Sequence, residues 1–222
     1  MPTKFDSLKR RLWYQSGDPM ETPAQKLRAH LHFQLTDHAF LRIFWTNMFQ
    51  IAPGVWRSNQ PSPARLRKMH AMGIHTVLNL RGKNKSPAYL LEAQTCKELG
   101  IELIDHSFAA RSLFPSERYL ALLDTFETID KPFVMHCKSG ADRAGLASAM
   151  YLIHIEGKTP DEAMQMMGLK YIHLKFTKTG ILDAFLRAYR AAYNESGISL
   201  RDWLETAYDR EAVYASFKAP WI

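Results

Sequence analysis

At 222 residues, 46% hydrophobic and 23% charged, the chain is long enough for one buried core, and its composition excludes a disordered or low-complexity protein. A formal charge of +7 points to anionic partners and says nothing of fold. The basic residues are dispersed, so no nucleic-acid partner is expected. Two cysteines, Cys96 and Cys137, are too few for a disulfide framework, and the start of the chain lacks the residue order of a secretory signal, so a reducing, cytoplasmic setting is expected.

Near the N-terminus, Lys9-Arg10-Arg11 beside Leu8, Leu12 and Trp13 reads as a solvated helix face, with weak peripheral contact to an anionic membrane as the alternative. The apolar stretch from Ala39 to Trp56 is broken by Arg42, Asn47, Gln50 and Pro53-Gly54, so it cannot span a bilayer and reads as a helix followed by a strand. Four extended segments then alternate with helices: Gly54 to Arg57, Thr76 to Leu80, Glu102 to Ile104 and Pro132 to His136. That alternation predicts an α/β fold with a central sheet flanked by helices.

Ser62-Pro63 and Ser86-Pro87 are helix starts, with serine as the cap and proline in the first turn, and Gly73 and Gly100 stop those helices. Thr159-Pro160-Asp161-Glu162 is a capping-box start. Beyond Thr179, the spacing of Ile181, Leu182, Phe185, Leu186, Tyr189 and Tyr193 predicts an amphipathic helix, and this C-terminal third is expected to serve packing rather than chemistry.

The chemistry is expected in PFVMHCKSGADRAG, where a buried-type strand runs through a small-residue loop into a helix. A loop feeding a helix N-terminus aims several backbone N–H groups at one point, which suits an anion. The same field stabilises Cys137 as the thiolate. Arg143 offers a planar fork for two oxygens of a phosphoryl group. A Cys and an Arg with five residues between them are a weak signal alone; the strand, His136, the central Gly140 and the following helix strengthen it. Cys96, within a helical stretch between Leu91 and Leu99, reads as inert core.

HCKSGADRAG resembles the HCxxGxxR signature loop of protein tyrosine phosphatases, and from Pro53 to Gly168 the chain is similar to atypical dual-specificity phosphatases. The resemblance implies a dual-specificity-phosphatase-like core at residues 53–177, with helical extensions at 1–52 and 178–222 in one structural domain. It implies that Cys137 attacks phosphorus to form a phosphocysteine, while Arg143 and the loop of Lys138, Ser139, Gly140, Ala141 and Asp142 hold the oxygens. His136 would brace the loop, and no metal or cofactor is implied.

Two features depart from the family pattern. Ala144 stands where a Ser or Thr hydroxyl commonly helps the thiolate leave, which predicts a slow second step. The general acid is also unassigned. Asp105, 32 residues before Cys137, and Asp142, placed as in myotubularin-type phosphoinositide phosphatases, are both candidates, and Asp124 and Asp130 are weaker ones. The loop just before the helix near Pro115 carries Arg111 rather than an acid. Arg81 and Arg111 are expected at the substrate mouth, together with Lys83, Lys85 and Lys138. Substrates open on this reading are a phosphorylated protein, a phosphoinositide or an inositol phosphate. Sulfur transfer or arsenate reduction, and a catalytically weak phosphate-binding module, are the competing functions.

Overall fold

A computed structural model of the chain describes residues 22–37 and 39–217, so the basic cluster at Lys9, Arg10 and Arg11 lies outside the described residues. In chain order the elements are α1 (Pro23–Thr36), α2 (Leu41–Phe44), β1 (Phe49–Ala52), β2 (Val55–Asn59), α3 (Pro63–Ala71), β3 (Thr76–Asn79), α4 (Pro87–Leu99), β4 (Glu102–Asp105) and α5 (Ser116–Thr128). They continue with β5 (Phe133–Cys137), α6 (Asp142–His154), α7 (Pro160–Met164), three short 3₁₀ turns between Gln165 and Gly180, then α8 (Ile181–Ser196), α9 (Leu200–Thr206) and α10 (Arg210–Ser216). The fold is α/β: a five-stranded sheet of order β1-β2-β5-β3-β4, parallel except for the β1–β2 pair, with helices on both faces.

Local signals set most boundaries. Ser62, Ser86 and Thr159 each accept a hydrogen bond from a first-turn amide, and Thr159 with Glu162 closes a full capping box. Gly100 ends α4 at φ 69, a conformation that glycine adopts without a Cβ penalty. The stretch from Ala39 to Trp56 differs from the expected helix and strand. It holds the four-residue α2 and then two paired strands, because Pro53-Gly54, with Gly54 at φ 73, turns the chain back on itself.

Side chains alternate across the sheet. Val77 and Val134 pack with Leu66, Met69, Cys96 and Ile101 under α3 and α4, while Leu78, Phe133 and Met135 join the larger core built on α5, α6 and α8. Burial, with Glu92 and Asp105 adding to it, pushes the Cys96 thiol up to about 12, as befits a core residue. Helix α6 is buried at every position from Ala144 to Ile153, wider than the single face formed by Leu146, Met150 and Ile153. Ala144, Gly145, Ala147, Ser148 and Ala149 are small enough for neighbours to approach on all sides. The Phe185 ring of α8 lies tilted against Tyr119 at 4.6 Å and meets Trp203 edge-on at 5.3 Å, so the C-terminal helices share the main core. On the other flank, Phe33 of α1 packs with Ala88 and Leu91 of α4. Among the described residues no helix is long and apolar enough to cross a membrane.

Candidate active site

Strand β5 lies at the centre of the sheet, and its C-terminal end delivers Cys137 into the loop that starts α6, the end at which open α/β sheets place their ligands. The loop is fixed by its carbonyls. Lys138 O accepts from Gln60 N (3.3 Å), Ser139 O from Asn47 Nδ2 (3.1 Å), and Gly140 O and Ala141 O from Arg57 Nη2 (2.6 and 3.1 Å). In a planar trans peptide the next N–H points opposite to the carbonyl, so four outward carbonyls turn the amides of Ser139, Gly140, Ala141 and Asp142 toward the inside of the curve. Gly140 N donates to Cys137 Sγ at 3.2 Å. A Cβ on Gly140 would lie 2.7 Å from Asn59 N, and the residue has φ +73, so only glycine lets the loop rest against β2.

Arg57, fully buried at the middle of β2, carries much of this arrangement. Its Nη1 also binds Met166 O (2.7 Å), and its guanidinium lies 3.8 Å from the Tyr171 ring centre. Burial lowers Arg57 to about 10, with Tyr171, Cys137 and Asp142 acting against that, so it remains a cation beneath the loop at neutral pH. The sequence marked neither Arg57 nor Asn47. The available signal was a charged residue in the middle of an otherwise buried strand.

Arg143, in the first turn of α6, donates from Nη1 to Phe108 O (3.3 Å), while its Nε is buried without a partner. It lines a cleft of about 570 Å³ together with Asp37, Trp45, Arg111, Lys138 and Asp142. Cys137, 1% exposed, is buried and does not itself line the cleft, whereas its loop neighbours Lys138 and Ser139 do. Trp45 is set by its carbonyl, which accepts from Asn59 Nδ2, and Asn59 is in turn held by Arg65. His136 points to the opposite sheet face, where its Nε2 lies 2.7 Å from the buried Glu92 carboxylate.

The structure separates the two candidate acids. Asp105 ends β4 at the sheet edge; it accepts from Asn79 Nδ2 (2.8 Å) and the Tyr89 hydroxyl (2.7 Å) and does not line the cleft. Asp142 does line it. Arg111 also faces the cleft, whereas Arg81 is turned into a bridge with Asp37 (3.2 Å) and Gln60 (2.8 Å). Lys83 and Lys85 are exposed and lie outside the cleft lining. Asp37, not among the expected site residues, reaches the mouth from the end of α1 and pairs with Arg42 (2.5 Å), Arg81 and Lys138 (3.4 Å). Burial works against its ionisation, but Arg81, Arg42 and Lys138 outweigh it and hold the carboxyl below its usual range.

His173, 0% exposed at its side chain, sets Nδ1 2.7 Å from Asp142 and Nε2 2.6 Å from Asp183. Asp183 belongs to α8, so the C-terminal third, expected to serve packing alone, reaches the loop. Burial would pull the imidazole down, but the two carboxylates raise it to about 9. Its pKa thus lies above the ordinary 6.5, so the stabilisation is fully present below pH 6.5 and is lost as pH rises through about 9. Denaturant midpoints should therefore fall across that window, and His173→Gln should remove this part of the fall. An unchanged pH profile in that variant would mean that another group is responsible.

Comparison with known proteins agrees with this architecture. Residues 45–195 match the family described as "Swiss Army Knife protein, DSP-PTPase phosphatase domain", and the chain belongs to that family. It is similar to the dual specificity protein phosphatase TpbA of Pseudomonas aeruginosa, 25% identical over 123 residues, which are 54% of this chain. The chain spans about half the length of the curated relatives it matches, 53% for TpbA. The crystal structure of P. aeruginosa TpbA superposes with a TM-score of 0.52 at 19% identity, covering 67% of this chain and 91% of that one. The structure of Tk-PTP in its active form gives 0.52 at 20% identity, covering 65% and 98%. At these identities the superpositions speak for the fold.

Proposed function

We propose that the chain hydrolyses phosphomonoesters through a phosphocysteine on Cys137, with Arg143 and the loop amides holding the phosphoryl oxygens. The observation that carries this reading is the pairing of a loop amide on Cys137 Sγ with a buried, unpartnered Arg143 Nε beside a basic cleft. Cys137 attacks phosphorus in line, the ester oxygen leaves, and water then releases phosphate from sulfur.

Substrate preference follows from the missing proton donor. Both carboxylates of the cleft, Asp37 and Asp142, are engaged by cations, and Asp105 is held elsewhere by Asn79 and Tyr89. Leaving oxygens that depart unaided are favoured, so an aryl phosphate such as phosphotyrosine in a protein should react ahead of phosphoserine or a phosphoinositide. Trp45 forms an aromatic wall beside the cleft that suits such a ring. The kinship with TpbA, named a dual specificity protein phosphatase, supports the same class.

A series of aryl phosphates run beside a phosphoinositide panel tests this. The rate of Cys137 phosphorylation, read as kcat/KM or as the burst rate, should fall steeply as the leaving-group pKa rises, and Asp105→Asn should keep that slope. A flat series in the wild type that steepens in Asp105→Asn would make Asp105 the acid instead. Phosphate bound without turnover would favour the second reading, a phosphate-binding module, which Ala144 supports by removing a hydroxyl from the loop.

A further inference from the structure

We propose that His173 and Asp183 are positioning residues that hold Asp142 as a proton acceptor, and that Asp142 serves hydrolysis of the phosphocysteine rather than departure of the first leaving group. The proposal rests on the phosphocysteine reading above. Both ring nitrogens of the buried His173 lie within hydrogen-bonding distance of carboxylates, Nδ1 at 2.7 Å from Asp142 Oδ1 and Nε2 at 2.6 Å from Asp183 Oδ2. Ionised carboxylates only accept, so the ring donates from both sides and is an imidazolium, in keeping with its raised pKa of about 9. A carboxylate pinned by a buried cation is a poor proton donor and a well-oriented acceptor.

Asp142 immediately precedes Arg143 and lines the same cleft. The charged groups around it are Arg143, Lys138, Arg111, Arg42 and Asp37 in the cleft, Lys178 beside it, and Arg57 beneath the loop. Those acting on His173 are Asp142 and Asp183. In the second step a water oxygen attacks phosphorus, and the P–Sγ bond breaks with its electron pair returning to Cys137. The water proton passes to Asp142 Oδ2, the oxygen not held by His173, and thence to solvent as phosphate departs.

The test is rapid-quench kinetics with p-nitrophenyl phosphate on the full chain, wild type against His173→Gln and Asp183→Asn. Both variants should keep a near-wild-type burst of p-nitrophenolate and accumulate phosphocysteine. Steady-state turnover should fall about 10- to 100-fold, the lower part of what a general base supplies. Asp183→Asn keeps the side-chain shape and covers the case in which His173→Gln fails to fold. Independently, ¹⁵N resonances of the His173 ring should show both nitrogens protonated at pH 8 in the wild type and a lower midpoint in Asp183→Asn.

A slowed burst with unchanged phosphocysteine hydrolysis would overturn the assignment and make Asp142 an acid. So would a His173 ring that titrates near the ordinary 6.5 in the wild type. A wild type with neither burst nor turnover would remove the phosphocysteine reading, and the assignment of Asp142 with it. A normal burst followed by hydrolysis insensitive to both variants would overturn the assignment alone.

Discussion

Cys137→Ser should lower turnover by a factor on the order of 10⁶, the scale reached when a nucleophile that acts as a unit with its partners is removed. The loop carbonyls are held by Gln60, Asn47 and Arg57 through hydrogen bonds that do not involve the sulfur, so the amide cradle should survive the exchange. A serine hydroxyl, however, is far weaker as a nucleophile than a thiolate in the same field. Phosphate release measured at high enzyme concentration, with inorganic phosphate binding followed in parallel, separates chemistry from binding. Loss of turnover with binding retained is the expected pair. Turnover within tenfold of wild type would remove Cys137 from the reaction. Iodoacetamide adds a control: it should inactivate the wild type by modifying Cys137 while Cys96, in its own apolar cluster, stays unmodified.

Arg143→Lys should cost about 10² to 10³ in turnover with the fold intact. The guanidinium spends Nη1 on Phe108 O and keeps its buried Nε unpartnered, so a planar fork is presented from a fixed side chain. An ammonium carries the same charge but cannot donate at two points in that geometry, and it loses the Phe108 anchor as well. Burst kinetics should show the loss in phosphorylation of Cys137 itself. Near-wild-type turnover in Arg143→Lys would mean that charge alone is needed and that the fork has no role.

Features set by a few neighbouring residues were legible in the sequence: the caps at Ser62, Ser86 and Thr159, the stop at Gly100, and the strand, loop and helix around Cys137. Strand β1 was not, because it is four residues long and owes its place to pairing with β2. The supports of the loop were hidden for a related reason. Asn47 lies 92 residues from Ser139, Arg57 lies 83 from Gly140, and His173 lies 31 from Asp142, so only the folded chain brings them together. Asp105 shows the converse. Its spacing from Cys137 suited an acid, yet the topology puts β4 at the sheet edge and gives its carboxylate to Asn79 and Tyr89.

The contact of Gly140 with β2 ties the site to the order in which the chain folds. The loop curve lies directly against Ser58 and Asn59, and those residues come from a strand paired in parallel with β5 across roughly 70 residues of intervening chain. Such pairings form late, because closing a long loop precedes any contact that rewards it. The anion cradle is therefore expected to mature only with that pairing, and a chain released early from synthesis or cut between β2 and β5 should have no partial capacity to grip phosphate. In refolding, recovered anion binding should coincide with the slowest approach to the native state, which makes it a reporter of complete assembly.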